Sequence, residues 1–351
     1  MALYDAIADL PVSIESESRS RHRGETTSDF ERVTTEIALS GKDAVGRGED
    51  VTYDEVDHQA FADAPSPDLT GDWTIDSFST HLAEIDLFAG DPPERESSRA
   101  HRQWAYESAA LDLACRQAGT DLASVLERET DPVRFVVSTR LGDPPSADRI
   151  ERLLSADPGV EFKLDPTPTW TTDLVSALAD TTAVRILDLK GWYEGTDVDV
   201  PADPELYELV RDAFPDVIIE DPAFTDETRE LLVAEADRIA FDYPVTDLES
   251  LRSLPVDPGW CNVKPSRFGS LRSLLETIEY CLENDIRLYG GGQFELGVGR
   301  EQIQLLASLL YPEGPNDVAP RAFNDPTASP PYPESPLSID DVVGFRIDHE
   351  S

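Results

Sequence analysis

VRILDLK (residues 184–190) and VIIED (217–221) decide the fold. Each is a short, β-branched apolar run that closes on charged residues and is followed by a segment of helical period. Working outward, the unit recurs: VRFVVSTRL (133–141) and VEFKLD (160–165) stand upstream, and RIAFD (238–242), WCNVK (260–264), IRLYGG (286–291) and a weak NDVAP (316–320) downstream. Between them lie amphipathic stretches such as TDLVSALAD (172–180), PELYELVRDAF (204–214) and GSLRSLLETIEYCLEND (269–285). Eight such βα units predict the α/β class and a (β/α)8 barrel. A doubly wound open sheet is the alternative, but no GxGxxG opens a helix after the first strand.

Upstream of the barrel the pattern is different. Residues 11–57 alternate polar and apolar positions and predict a three-stranded meander with turns at Gly24 and Gly41. The polar stretch DAPSPDLTGDW (63–73) follows, then helical patterns over 78–88 and 97–127. This is an α+β capping region. The expected organisation is a cap over residues 1–130, a barrel over 131–324, and a Pro- and Ser-rich segment, 325–351, whose VVGFRI (342–347) returns to the cap.

The 351-residue chain has 29 basic and 71 acidic residues, a net charge of −42, which sets nucleic acid and anionic membrane surfaces aside as partners. No run of about 18 apolar residues is present, and MALYDAIADLPVS lacks a basic n-region and an apolar h-region. The expectation is a soluble cytoplasmic protein; a homo-oligomer is compatible with it. Cys115, Cys261 and Cys281 form no CxxC pair and read as small core residues. Twenty-five of the basic residues are Arg and only four are Lys, the composition expected of a halophile, whose acidic surface is screened by concentrated salt. Each of Lys42, Lys163, Lys190 and Lys264 therefore invites a specific reason.

In a barrel of this kind functional groups stand at the C-terminal ends of the strands. Strand two ends in Lys163 and Asp165, strand three in Asp188 and Lys190, strand four in Glu220 and Asp221, strand five in Asp242, strand six in Lys264. Alternation of side chains puts Lys163 with Asp165, and Asp188 with Lys190, on the inward face. An acidic strand end is often only a helix cap, but these charges recur in phase with the barrel. Three carboxylates leaving room for water or substrate oxygen suit Mg²⁺. YGGGQFELGVG (289–299) ends strand seven, where Gly290, Gly291 and Gly292 either admit a substrate carboxylate to backbone amides or form a tight corner, and Glu295 is a candidate to face the site. In the cap, Arg21, His22 and Arg23 suit an anionic carboxylate or form a solvated turn.

On these motifs the chain resembles the enolase superfamily, in particular its muconate-cycloisomerase and o-succinylbenzoate-synthase-like branch. AVGRGED (44–50) and the helix AYESAALDLACRQAGTDLASVL (105–126) are similar to its capping domain; FKLD, RILDLKG, VIIEDP, IAFD and NVKPSRFGSL are similar to barrel strands two to six. The resemblance implies Mg²⁺ on Asp188, Glu220 and Asp242, Lys264 as strand-six acid/base, a small-molecule carboxylate substrate, and an isomerase, epimerase or lyase that abstracts the α-proton. Two departures stand out. The family's strand two usually ends Lys-x-Lys with the second Lys catalytic; here Asp165 holds that position and only Lys163 matches. Lys190 stands where relatives often have Asn, which shifts a cation to strand three or pairs it with Asp165. All five histidines, His22, His58, His81, His101 and His349, lie outside the barrel strands, which removes a strand-seven His base. A catalytically degenerate barrel serving as a binding or scaffold protein is the alternative.

Overall fold

The computed structural model describes residues 2–28, 30–196 and 198–347. Asp29, His349 and the last residues of the 325–351 segment lie outside them. The first strand, β1 (Pro11–Ile14), pairs antiparallel with β5 (Gly71–Thr74) and not with its neighbour in the chain. The meander is therefore built from β2 (Ser16–Glu25), β3 (Glu31–Gly41) and β4 (Ala44–Asp50). Gly24 lies within β2 rather than in a turn, and the second turn uses Lys42 and Asp43, both left-handed. The helix Ser97–Ala118 lies across this sheet, its close approach permitted by Gly46 and Gly48, where a β-carbon would meet the helix backbone. It stops earlier than the hydrophobic pattern because Gly119 adopts the left-handed C-cap; Leu122–Val125 is a separate turn. The preceding helix, Ile75–Ala83, begins earlier than its pattern, at a capping box of Thr74 and Ser77.

Seven parallel strands follow in sequential order: β6 (Val137–Thr139), β7 (Phe162–Leu164), β8 (Val184–Asp188), β9 (Ile218–Glu220), β10 (Ile239–Phe241), β11 (Trp260–Val263) and β12 (Arg287–Gly290). The eighth position is reduced to single bridges, Asn316 to Phe135 and Asp317 to Gly291, which join the first and last strands and close the (β/α)8 barrel. Val136, Ile186, Ile218, Ala240 and Tyr289 fill the interior as a small separate cluster. Since successive inward side chains are two residues apart, Ile186 puts Asp188 inward, Ile218 puts Glu220 inward, and Ala240 puts Asp242 inward. The apolar plug thus sets the phase of the charged ring above it.

Past the barrel the chain returns to the cap. Gly344 bridges Asp121, and Asp112 on the long helix accepts the Phe345 N–H at 2.9 Å. VVGFRI makes isolated bridges in place of the expected strand.

Candidate active site

The ring is buried and crowded. Lys163, inward on β7, donates to Glu220 at 2.5 Å and stands 3.2 Å from Asp188 and 3.6 Å from Asp317. Asp165, expected beside Lys163 on the inward face, lies past the strand end, where it faces Arg140 at 3.5 Å and Lys190 at 3.8 Å. Lys190, left-handed just beyond β8, is ion-paired to Asp188 and sits 5.0 Å from the Tyr193 ring. Across the ring Lys264, first residue past β11, donates to Asp242 at 2.8 Å. Arg267 flanks the same carboxylate at 3.3 Å, and the Tyr193 hydroxyl donates to it at 3.0 Å.

Burial alone would protonate these acids. For Asp188 it is outweighed by Lys190 and Lys163, and for Asp242 by Arg267 and Lys264, so both are held below the usual carboxylate range. Glu220 goes the other way: burial, with Asp188 and Asp242 close by, pushes it well up despite Lys163. Burial would strip Lys163 of its proton, but Glu220, Asp188 and Asp317 hold it firmly charged.

Carboxylate oxygens of Asp188, Glu220 and Asp221 come within 4.8 Å of one another. Both oxygens of Asp221 are already engaged, accepting the Asp242 N–H at 2.8 Å and the Tyr243 N–H at 2.9 Å, so this side chain clamps the end of β10. Asp242 is held differently: its buried Oδ1 accepts no well-aligned hydrogen bond and faces the Arg267 Nε at 3.3 Å. Asp188 and Glu220 converge and Asp242 follows on the next strand, an all-carboxylate donor set whose chemistry fits a hard divalent cation.

The model of the N-terminal domain of a family described as a domain of unknown function (DUF8230) matches residues 5–125, and that of its C-terminal domain matches residues 129–325. The chain belongs to this family. Among curated proteins it is similar to the o-succinylbenzoate synthase of Bacillus subtilis (strain 168), with 27% identity over 223 residues, and the match spans 61% of this chain and 57% of that relative. Among solved structures, an enolase-superfamily member from Enterococcus faecalis V583 superposes with a TM-score of 0.64 at 17% identity, over 90% of this chain and 89% of the other. A dipeptide epimerase from Methylococcus capsulatus, complexed with a Mg ion, gives 0.65 at 20% identity, over 86% and 88%. The cap and barrel of this DUF8230 chain therefore have the enolase-superfamily fold.

Other expected candidates fall elsewhere. Glu295 is buried but tied to Arg300 at 3.0 Å and to the Gln293 N–H at 2.6 Å. The glycine run has a local reason: a β-carbon on Gly291 would stand 2.7 Å from Lys264 Cε and 2.5 Å from Asn262 Oδ1, so glycine there makes room for the lysine stem. Arg21 donates to Gln59 at 2.8 Å, Arg23 pairs with Glu31 and Glu55, and His22 faces Glu36 at 3.6 Å, so the basic patch is spent on the cap's own side chains.

The sequence reading overlooked several participants. Asp317, Arg267, Tyr193 and Tyr289, whose hydroxyl donates to Glu220, all touch the ring. Asp317 had a signal in NDVAP and Arg267 in NVKPSRF, but neither stands in a regular strand.

Proposed function

We propose that the protein is a Mg²⁺-dependent enzyme that removes the proton α to a substrate carboxylate, with an isomerase, epimerase or lyase outcome. One observation carries this reading: Asp188, Glu220 and Asp242 end three adjacent strands, with Lys264 ending the next. Asp188, Glu220 and Asp242 are the residues that would hold the metal. When bound, it supplies positive charge beside the substrate carboxylate, which acidifies the α-carbon. Lys264 acts as the acid/base at that carbon; Asp242 holds its ammonium in place, and Gly291 leaves it a path. Lys163 and Lys190 keep Asp188 charged and hold it apart from Glu220, with Asp165 orienting Lys190. The dipeptide epimerase and o-succinylbenzoate synthase relatives support the class of reaction.

In this reading residues 1–130 act as a cap on a barrel of 131–324, with 325–351 tying the two. The net charge of −42 and the scarcity of Lys support a chain adapted to concentrated salt inside the cell. No helix among the described residues is long and apolar enough to cross a membrane.

The test combines two measurements. Calorimetric titration with Mg²⁺ in concentrated KCl is expected to show binding at or below millimolar metal, weakened by Glu220→Gln. Proton NMR in D₂O with a library of carboxylates and dipeptides is expected to reveal at least one α-proton that exchanges. Absence of Mg²⁺ binding would overturn the reading.

A further inference from the structure

Two sequence motifs, AVGRGED (44–50) in the cap and GGGQFELGVG (290–299) at the end of β12 and beyond it, interlock in the structure. Glu49, near the end of β4, is only 1% exposed. Its Oε1 accepts the N–H groups of Leu296 at 2.7 Å and Gly297 at 2.9 Å, and its Oε2 accepts that of Gly299 at 2.8 Å. Gly299 opens the helix Gly299–Leu310, so the carboxylate also meets the positive end of that helix. The glycines make room for it: a β-carbon on Gly299 would stand 2.9 Å from Glu49 Oε2, and one on Gly297 would stand 3.2 Å from the same oxygen.

A cap cation holds the other end of this loop. Arg32, on β3 and equally buried, donates from Nε to the Gln293 carbonyl at 3.2 Å, and its own place is fixed by the Thr52 carbonyl at 2.6 Å. Between the two grips Phe294 is left-handed, a conformation that a residue with a β-carbon keeps only where its surroundings enforce it. The loop starts against Lys264. Gly291 donates to the Val263 carbonyl at 2.9 Å, and the space its missing β-carbon leaves is taken by Lys264 Cε. Anchorage at 293–299 thereby reaches the lysine stem through the loop.

We infer that Glu49 is a positioning residue: it pins the 291–299 loop to the cap and, through Gly291, holds Lys264 in place at the rim of the ring. The acid/base role of Lys264 rests on the function proposed above; the pinning does not.

Having only four lysines in the chain makes the test simple. The metal-free protein is acetylated with limiting acetic anhydride, and modification of Lys42, Lys163, Lys190 and Lys264 is read separately by mass spectrometry. Glu49→Gln offers one acceptor oxygen where the carboxylate offers two, so at least one loop amide loses its partner. Gly299→Ala, which helix propensity would otherwise favour, crowds the carboxylate without changing any charge, and it decides the matter should Glu49→Gln fail to fold. In both variants the loss of hydrogen bonds to a charged acceptor is expected to speed amide hydrogen exchange over 293–299 by about 10- to 100-fold. Acetylation of Lys264 is expected to rise by about tenfold through the same local opening, with buried Lys163, part-buried Lys190 and exposed Lys42 unchanged. A Glu49 that merely supports the fold would loosen it throughout and raise Lys163, Lys190 and Lys264 together. That outcome overturns the inference, and so does an unchanged Lys264 in both variants. Absence of Mg²⁺ binding to the wild type would sink the proposed function without touching the acetylation result, so the two failures are distinguishable.

Discussion

The barrel mouth and the seam between cap and barrel both bury ionisable groups, and they resolve the cost in opposite ways. In the mouth cations drawn from Lys163, Lys190, Lys264 and Arg267 hold Asp188 and Asp242 charged, and Lys163 contacts Glu220 even though burial and its acidic neighbours push that carboxyl up. In the seam Glu107 is just as buried but makes no ion pair among the described residues; it accepts from Ser79 Oγ at 2.5 Å, the Leu271 N–H at 3.2 Å and Gln103 Nε2 at 3.5 Å. His101, nearby in the same helix, is neutral for similar reasons. Charge kept by pairing is exchangeable, since one cation can replace another. Charge shed by burial is not, and such groups serve to join surfaces. The mouth is built for exchange and the seam for adhesion.

The sharpest way to break this contrast is through the lysines. Lys264→Ala is expected to lower α-proton exchange by about 10²- to 10⁴-fold, the contribution of a positioned acid or base, while Lys190→Ala lowers activity without abolishing exchange. If Lys264→Ala keeps full exchange and Lys163→Ala loses it, the acid/base belongs on the other side of the ring. Lys163→Met tests exchangeability itself. Removing the ammonium leaves Glu220 with no cation and Asp188 with Lys190 alone, which is expected to cost up to about 3–5 kcal/mol in urea unfolding without metal. Saturating Mg²⁺ should restore a large part of it, since a divalent cation supplies the missing charge to the same two carboxylates. Destabilisation that Mg²⁺ leaves untouched would mean that Lys163 is a structural ion and the mouth is as fixed as the seam.

How much of this was legible in the sequence depends on regularity. Asp188, Glu220, Asp242 and Lys264 stand at the ends of strands whose alternation and spacing are regular, so their convergence follows from period alone. Asp317 was hidden because its strand is only a bridge, and Arg267 and Tyr193 because they lie beyond strand ends, where no period operates. Lys163 was legible too, since it shares the inward face of its strand with the carboxylates of β8 and β9 that it meets; Asp165, placed on that face by alternation, lies past the strand end, where the period no longer holds. In the cap, pairing of β1 with β5 skips three intervening strands, and no local pattern announces such a long-range choice. His101 and Glu107 fall within a helical run that reads as ordinary core, so their burial without ionic partners needed the packed structure to be seen.

Glu107 offers the smallest effect and the cleanest sign. Burial raises it from an ordinary value of 4.5 to about 7, against the lowering influence of Ser79, Leu271 and Gln103. Between those two values the folded chain holds a proton that the unfolded chain has released. Stability must therefore fall as pH rises through this window and level off above it. Across the window the contribution is expected to be about 1–3 kcal/mol, at 1.36 kcal/mol per unit and discounted for relaxation around the buried carboxyl. The other acids of the chain impose their own pH dependence, so the useful quantity is the difference between the wild type and Glu107→Gln, measured by urea unfolding in concentrated KCl from pH 5 to 8. Gln is neutral throughout, and its amide nitrogen faces groups that are all donors, so a constant offset is expected and carries no information about charge. The slope does: the wild type should lose stability relative to the variant as pH rises to about 7. A difference that stays flat would show that Glu107 is ionised in the fold, and a cation would then have to be found for it, placing the seam under the same rule as the mouth.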